Sequence, residues 1–212
     1  MNKATRISVA VFGTIFGVSG MSHGFFETLQ GNTPTPIGMI TAIGEAQKMW
    51  PHGDEPAFTL IPNFLLTGMA AMLVGLVIIL WSWKYVHRKH GAAVFLCLFI
   101  LLLLVGGGVA QTLFFPWFWL VATRINRPLT WWRKTLPERT LRLLGKVWPW
   151  ALGISAALIA YTLVVATSGF VPGLVNPDKV LSVMLFSLAG SALLIPVSFI
   201  AGFALDISNN PE

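Results

Sequence analysis

His23 and Glu27, an imidazole and a carboxylate four residues apart, are the first pair in this chain able to do chemistry. That spacing puts both on one face of a helix. Gly13, Gly17, Gly20 and Gly24 run along the same face. Small residues let helix backbones approach closely in lipid, so the pair is expected on a packing face. An ionisable pair inside a membrane segment marks a candidate functional site. The plainer alternatives are that His23 simply hydrogen-bonds Glu27, or that Glu27 reaches the outer headgroups.

Neutral polar residues recur near the same depth. Thr59, Asn63 and Thr67 are four apart and read as a ladder down one helix. Pro62 would free a backbone carbonyl one turn above it. Gln111 follows closely on Gly106, Gly107 and Gly108. The expected ligand-binding set is therefore Glu27, His23, Thr59, Asn63, Thr67 and Gln111. Proton coupling through a buried Glu27 belongs to the same expectation. The competing reading has the threonines bonding back to their own helix and Asn63 joining two helices.

The string His52-Gly-Asp54-Glu55 adds a second imidazole and more carboxylates. His23, Glu27, His52 and Glu55 together form a donor set suited to a divalent metal, zinc or divalent iron or manganese. The alternative for the loop is a solvated turn. The sequence has no phosphate-binding P-loop, dinucleotide fingerprint, HExxH, paired CxxC or GxSxG.

The elements that must position these groups follow from composition. The 212 residues are 55% hydrophobic and 10% charged, where a soluble domain carries roughly a quarter charged. A water-soluble globule, a disordered chain and a disulfide scaffold are excluded. What remains is a single integral membrane domain over 1–212. The single cysteine, Cys97, has no partner and is expected to pack as a small hydrophobe.

A span needs about 20 apolar residues. Continuous apolar runs cover 7–29, 59–83, 92–122, 150–170 and 180–205. The first follows Lys3 and Arg6 as a signal peptide would, with Val18-Ser19-Gly20 as a tolerable cleavage site; the expectation is an uncleaved first span. The run 92–122 would be about 46 Å long as one helix, too long for one upright span and too short for two. Folding it back at Gly106, Gly107 and Gly108 puts twelve Lys and Arg on one side and two, Lys48 and Lys179, on the other. Cytoplasmic loops are enriched in those residues, so a re-entrant or short helical hairpin with the N-terminus inside is expected. A single tilted helix with a flexible centre is the alternative.

Trp81, Trp83, Trp117, Trp119, Trp131, Trp132, Trp148 and Trp150 flank the basic stretches and suit one interfacial belt. Two amphipathic helices are expected at the interfaces. One starts at Thr135-Leu-Pro137-Glu138 and carries Arg139, Arg142 and Lys146 opposite Leu141, Leu144 and Trp148. The other follows Pro36, with Met39, Ile43, Ala46 and Trp50 on one face. The expected fold is all-α: a polytopic membrane bundle with four full spans, the hairpin and these two helices.

The strings His23-Gly-Phe-Phe-Glu-Thr-Leu-Gln-Gly-Asn32, Glu55-Pro-Ala-Phe-Thr-Leu-Ile-Pro-Asn63 and Ala122-Thr-Arg-Ile-Asn-Arg-Pro-Leu-Thr-Trp-Trp-Arg133 resemble a group of uncharacterised prokaryotic multi-pass membrane proteins. The resemblance implies a cell-membrane protein and supplies no chemistry. Three functions stay open. The leading one is a non-catalytic protein with an outward-facing polar pocket that binds or passes a small solute, ion or lipid headgroup. The others are a membrane-embedded metalloenzyme and a structural or accessory subunit. Expected partners are the bilayer, anionic headgroups at the cytoplasmic face and another membrane protein. Nucleic acid is not expected, because the basic charge serves the membrane face.

Overall fold

The computed structural model describes residues 1–210. It is mostly helical, and four of its helices are long and apolar enough to cross a membrane: α1 (Lys3–Leu29), α2 (Phe64–Lys84), α6 (Glu138–Ser168) and α7 (Pro177–Asn209). Between them lie α3 (Gly91–Leu104), α4 (Phe115–Ala122) and α5 (Thr130–Thr135). Strands β1 (Gly38–Thr41) and β2 (Pro56–Thr59) pair antiparallel, Gly38 opposite Thr59.

The glycine stripe of α1 does what its spacing implies. Gly24 lies against the Gly68 carbonyl and Gly68 against the Gly24 carbonyl. Two turns away, Gly17 and Gly75 make the same reciprocal contact. A side chain at any of the four would meet backbone, so α1 and α2 pack antiparallel with their backbones in close approach. Next to this pair, α7 packs along α6 and also touches α1. The shared core is aromatic: Phe12 lies stacked on Phe118 at 5.3 Å and edge-on to Phe199 at 5.4 Å.

The apolar run 92–122 is broken, as its glycines suggest. Helix α3 ends at Leu104, and the chain returns through a 3-10 turn (Ala110–Leu113) into α4. Phe99 on the outgoing limb stacks on Phe115 on the returning one at 5.7 Å. Both feet stand together, because Asn126 Nδ2 donates to the His87 carbonyl at 2.6 Å. The N-terminus joins them: Asn2 N donates to Ile125 O at 2.7 Å, and Asn2 Nδ2 to Arg124 O and Arg127 O.

The tip of this hairpin docks on β2 through an isolated bridge, Val105 opposite Thr59. Leu60 N donates to Leu104 O, Gly106 N to Phe58 O and Val109 N to Pro56 O, at 2.9, 2.9 and 3.1 Å. The non-helical backbone after α3 therefore finds partners on β2, as buried irregular backbone must.

Several local expectations give way. The helix foreseen after Pro36 is a strand and a 3-10 turn (Glu45–Gln47) instead. Its proposed face is not shared: Ile43 and Trp50 are buried, while Met39 and Ala46 are exposed. Gly38, at φ 118°, and pairing with β2 override the helical spacing. The all-α expectation thus missed a small sheet. No separate basic helix forms either. Thr135 ends α5, bonding back to Trp131 O, and α6 begins at Glu138 and runs unbroken through Pro149 for 31 residues. Leu141, Leu144 and Trp148 do share a face, and it packs on the bundle core. Cys97 is exposed on α3 and does not pack inside.

All twelve Lys and Arg residues other than Lys48 and Lys179 lie at the end that holds the N-terminus and both feet of the hairpin. The opposite end carries Glu45, Asp54, Glu55 and Asp178 beside those two cations.

Candidate functional site

Three consecutive glycines at the hairpin tip each lie against one polar side chain from elsewhere. A Cβ on Gly106 would collide with both carboxyl oxygens of Glu27, and one on Gly108 would stand 2.6 Å from His23 Nε2. Gln111 Nε2 donates to the Gly107 carbonyl. Gly106 and Gly108 hold φ values of 98° and 91°, which L side chains rarely adopt. The glycines are thus needed twice, for the turn and for the close approach of α1.

Glu27 is fully buried, and neither carboxyl oxygen has a hydrogen-bond partner. Gln111 Oε1 and His23 Nδ1 are also enclosed and unpartnered. A buried polar group without a partner costs about 1–3 kcal/mol, and a charged one more. Three of these four orphaned atoms are oxygens that only accept when Glu27 is ionised. With Glu27 ionised, the site is a cluster of enclosed acceptors without a donor.

His23 turns from Glu27 to the sheet side. Its Nε2 lies 3.2 Å from Glu55 Oε2, just before β2. A cleft of about 20 Å³ opens beside this pair, lined by Ser19, Ser22, His23, Glu55 and Thr167 with Phe26, Ile43 and Leu163. It is large enough for about one water. Glu27 does not line it.

Thr59 and Thr67 also converge on the tip, though not as a helical ladder. Thr59 closes β2, and α2 starts only at Phe64. Their hydroxyls lie 2.6 Å apart, and Thr67 Oγ1 donates to Val105 O at 2.8 Å. Asn63 stands apart: it caps α2 by accepting from Leu66 N and donates to Asn32 Oδ1. Pro62 precedes the helix, so it frees no helical carbonyl.

Comparison with known protein families, curated proteins and solved structures finds no match for this chain. The resemblance carried by the three strings thus gains no family behind it, and the site stands on its geometry.

The four-residue metal set does not assemble. His52 Nε2 pairs with Asp178 Oδ1 at 3.2 Å, and no group of three or more His, Cys, Asp or Glu side chains among the described residues is placed to hold a metal ion. The loop that holds His52 is instead fastened by ion pairs. Lys48 Nζ reaches Glu45 and Asp54, each at 2.6 Å. Asp54 first, then Glu45, holds the Lys48 ammonium above its usual range.

The structure brings Glu27, His23, Gln111, Thr59 and Thr67 of the expected set together at the hairpin tip, but the sequence did not show their common support. The pairing of the tip with β2 joins residues about fifty positions apart, and no local pattern announces it. Ser22 and Thr167, which line the cleft, were also missed; each reads as an ordinary helix hydroxyl.

Proposed function

We propose that this chain is a multi-pass cell-membrane protein, N-terminus cytoplasmic, that binds a small cation, a proton included, at the Glu27 end of α1. The observation that carries this reading is the enclosed carboxyl of Glu27, unpartnered beside an unwound, glycine-lined hairpin tip. Buried carboxylates next to broken helices are a recurring means of holding monovalent cations and protons in membranes. Oxygen acceptors suit hard cations. The cleft at His23 and Glu55 lies one helical turn from Glu27, at the end of the molecule opposite the cationic one, and does not reach the carboxyl itself.

The excess of cations at one end supports the orientation. It also supports contact with anionic lipid headgroups at the cytoplasmic face. In this reading α1, α2, α6 and α7 span fully and α3–α4 is re-entrant. Helix α3 rises about 21 Å, short of the roughly 30 Å hydrocarbon.

The test is thermal melting of the purified protein in sodium, potassium, lithium and choline chloride at constant ionic strength. One small cation should raise Tm saturably, and Glu27→Gln, close in shape, should abolish that response while staying folded. Equal melting of the wild type in all four salts, with no change in its pH dependence on Glu27→Gln, would overturn the reading. A second reading draws support from the small size of the cleft: an accessory subunit in which His23–Glu55 merely ties the sheet to α1. It predicts that same salt-independent result.

A further inference from the structure

A groove of about 640 Å³ runs between α4 and α7 on the outside of the bundle. It exists because the returning limb of the hairpin is short. Eight residues of α4 stand beside the 33 residues of α7, leaving the stretch of α7 around Ala192 and Pro196 open. Its walls are almost wholly apolar, and the volume suits one small-molecule ligand.

The groove ends in positive charge. Arg124 lines its basic end, beside Trp132, whose ring packs on Phe203 at 5.6 Å. The Arg124 side chain is exposed and, among the described residues, has neither an ion pair nor a hydrogen-bond acceptor. A free guanidinium presents a planar fork that matches a phosphodiester. The comparison groove between α1 and α6, about 290 Å³, is lined by Thr14, Val18, Ala160 and Val164 among others and includes no charged residue. Both would hold acyl chains in a bilayer, but only the larger pairs an acyl-chain slot with a cation at headgroup level.

We infer that the α4–α7 groove is a binding site for one anionic phospholipid, its phosphate on Arg124 and one acyl chain between α4 and α7. The inference rests on the membrane reading above but not on the cation site. A zwitterionic lipid is disfavoured by its own ammonium, which would meet an end of the molecule rich in Lys and Arg.

Native mass spectrometry of the delipidated full chain tests this, with phosphatidylglycerol and phosphatidylcholine of identical acyl chains as probes. One phosphatidylglycerol should be retained in preference to phosphatidylcholine. Arg124→Gln should weaken that retention about tenfold, the equivalent of one charge-assisted contact. Ala192→Trp, which fills the slot and leaves the charge alone, should displace the lipid as well. Lys146→Gln, which removes a cation at the same end outside the groove, should leave retention unchanged. Equal retention of the two lipids, or equal losses from Arg124→Gln and Lys146→Gln, would overturn the site in favour of diffuse attraction. Because Glu27 is untouched, the salt-dependent melting described above separates failure of this site from failure of the cation site.

Discussion

Asp206 and Thr5 meet at two points: Asp206 Oδ2 accepts the Thr5 backbone amide at 2.9 Å and the Thr5 hydroxyl at 2.7 Å. The other carboxyl oxygen accepts Ala4 N at 2.9 Å. The last turns of α7 therefore cap the start of α1. Asn2, in the usual capping position, gives no side-chain bond to the helix and serves the hairpin feet instead. A carboxylate at a helix N-terminus satisfies orphaned amides and faces the positive end of the helix dipole.

Removing that cap should be costly. Asp206 is 3% exposed, so Asp206→Ala strands two buried amides and a hydroxyl. The expected loss is about 1–3 kcal/mol, with a smaller loss for Asp206→Asn. Thr5→Ala should lose less still and should not add to Asp206→Ala. Chemical denaturation of the four variants checks this, and additive losses would mean the two residues are not coupled.

Glycine has opposite meanings on α1 and α6. A Cβ at Gly24 would strike α2 backbone, whereas one at Gly153 meets nothing within 4 Å. Gly24→Ala should destabilise by about 1–3 kcal/mol through overpacking. Gly153→Ala should stabilise by about 0.5–1 kcal/mol through helix propensity. Paired melting curves decide the matter, and equal effects would refute the close approach of α1 and α2.

A pH response should trace to His87. Burial first, then the neighbouring Arg6 and Arg88 charges, holds its imidazole below the usual range. The unfolded chain takes up a proton near pH 6.5, while the folded chain stays neutral to lower pH. Stability contributed by this group is thus intact above about pH 6.5 and declines as pH falls below it. His87→Gln should flatten the acid side of the Tm–pH profile. Superimposable profiles for the two proteins would discount the effect.

The folded-back segment can be tested by labelling. In a Cys97→Ser background, Arg88→Cys and Arg127→Cys should react with an impermeant thiol reagent from the same side of a sealed vesicle. Asp178→Cys should react from the other. Labelling of residues 88 and 127 from opposite sides would mean that 92–122 crosses once.

The sequence showed the long apolar helices because lipid demands length and continuity, and those are local properties. The glycine stripe was legible for the same reason: helical spacing turns Gly17 and Gly24 onto one face without knowledge of the partner. The sheet was hidden, since Met39, Ile43 and Trp50 also satisfy a helical period and only pairing with β2 settles the competition. The site was half visible. Glu27 and His23 announced themselves as ionisable groups on a packing face, whereas Glu55 was read as a metal ligand and proved the partner of His23. Asp206 left a faint signal, an acid at the end of an apolar run, but nothing in its neighbourhood names Thr5, two hundred residues away.

The strand-like docking of the hairpin tip sets an order of assembly. The amides of Gly106 and Val109 are answered only by carbonyls of Phe58 and Pro56, which are synthesised about fifty residues earlier. The template thus leaves the ribosome before the turn does, and the turn's amides have no protein partner until that template is formed. Lesions in 56–60 should therefore show themselves as failed insertion of 91–122, far along the chain from the altered codons.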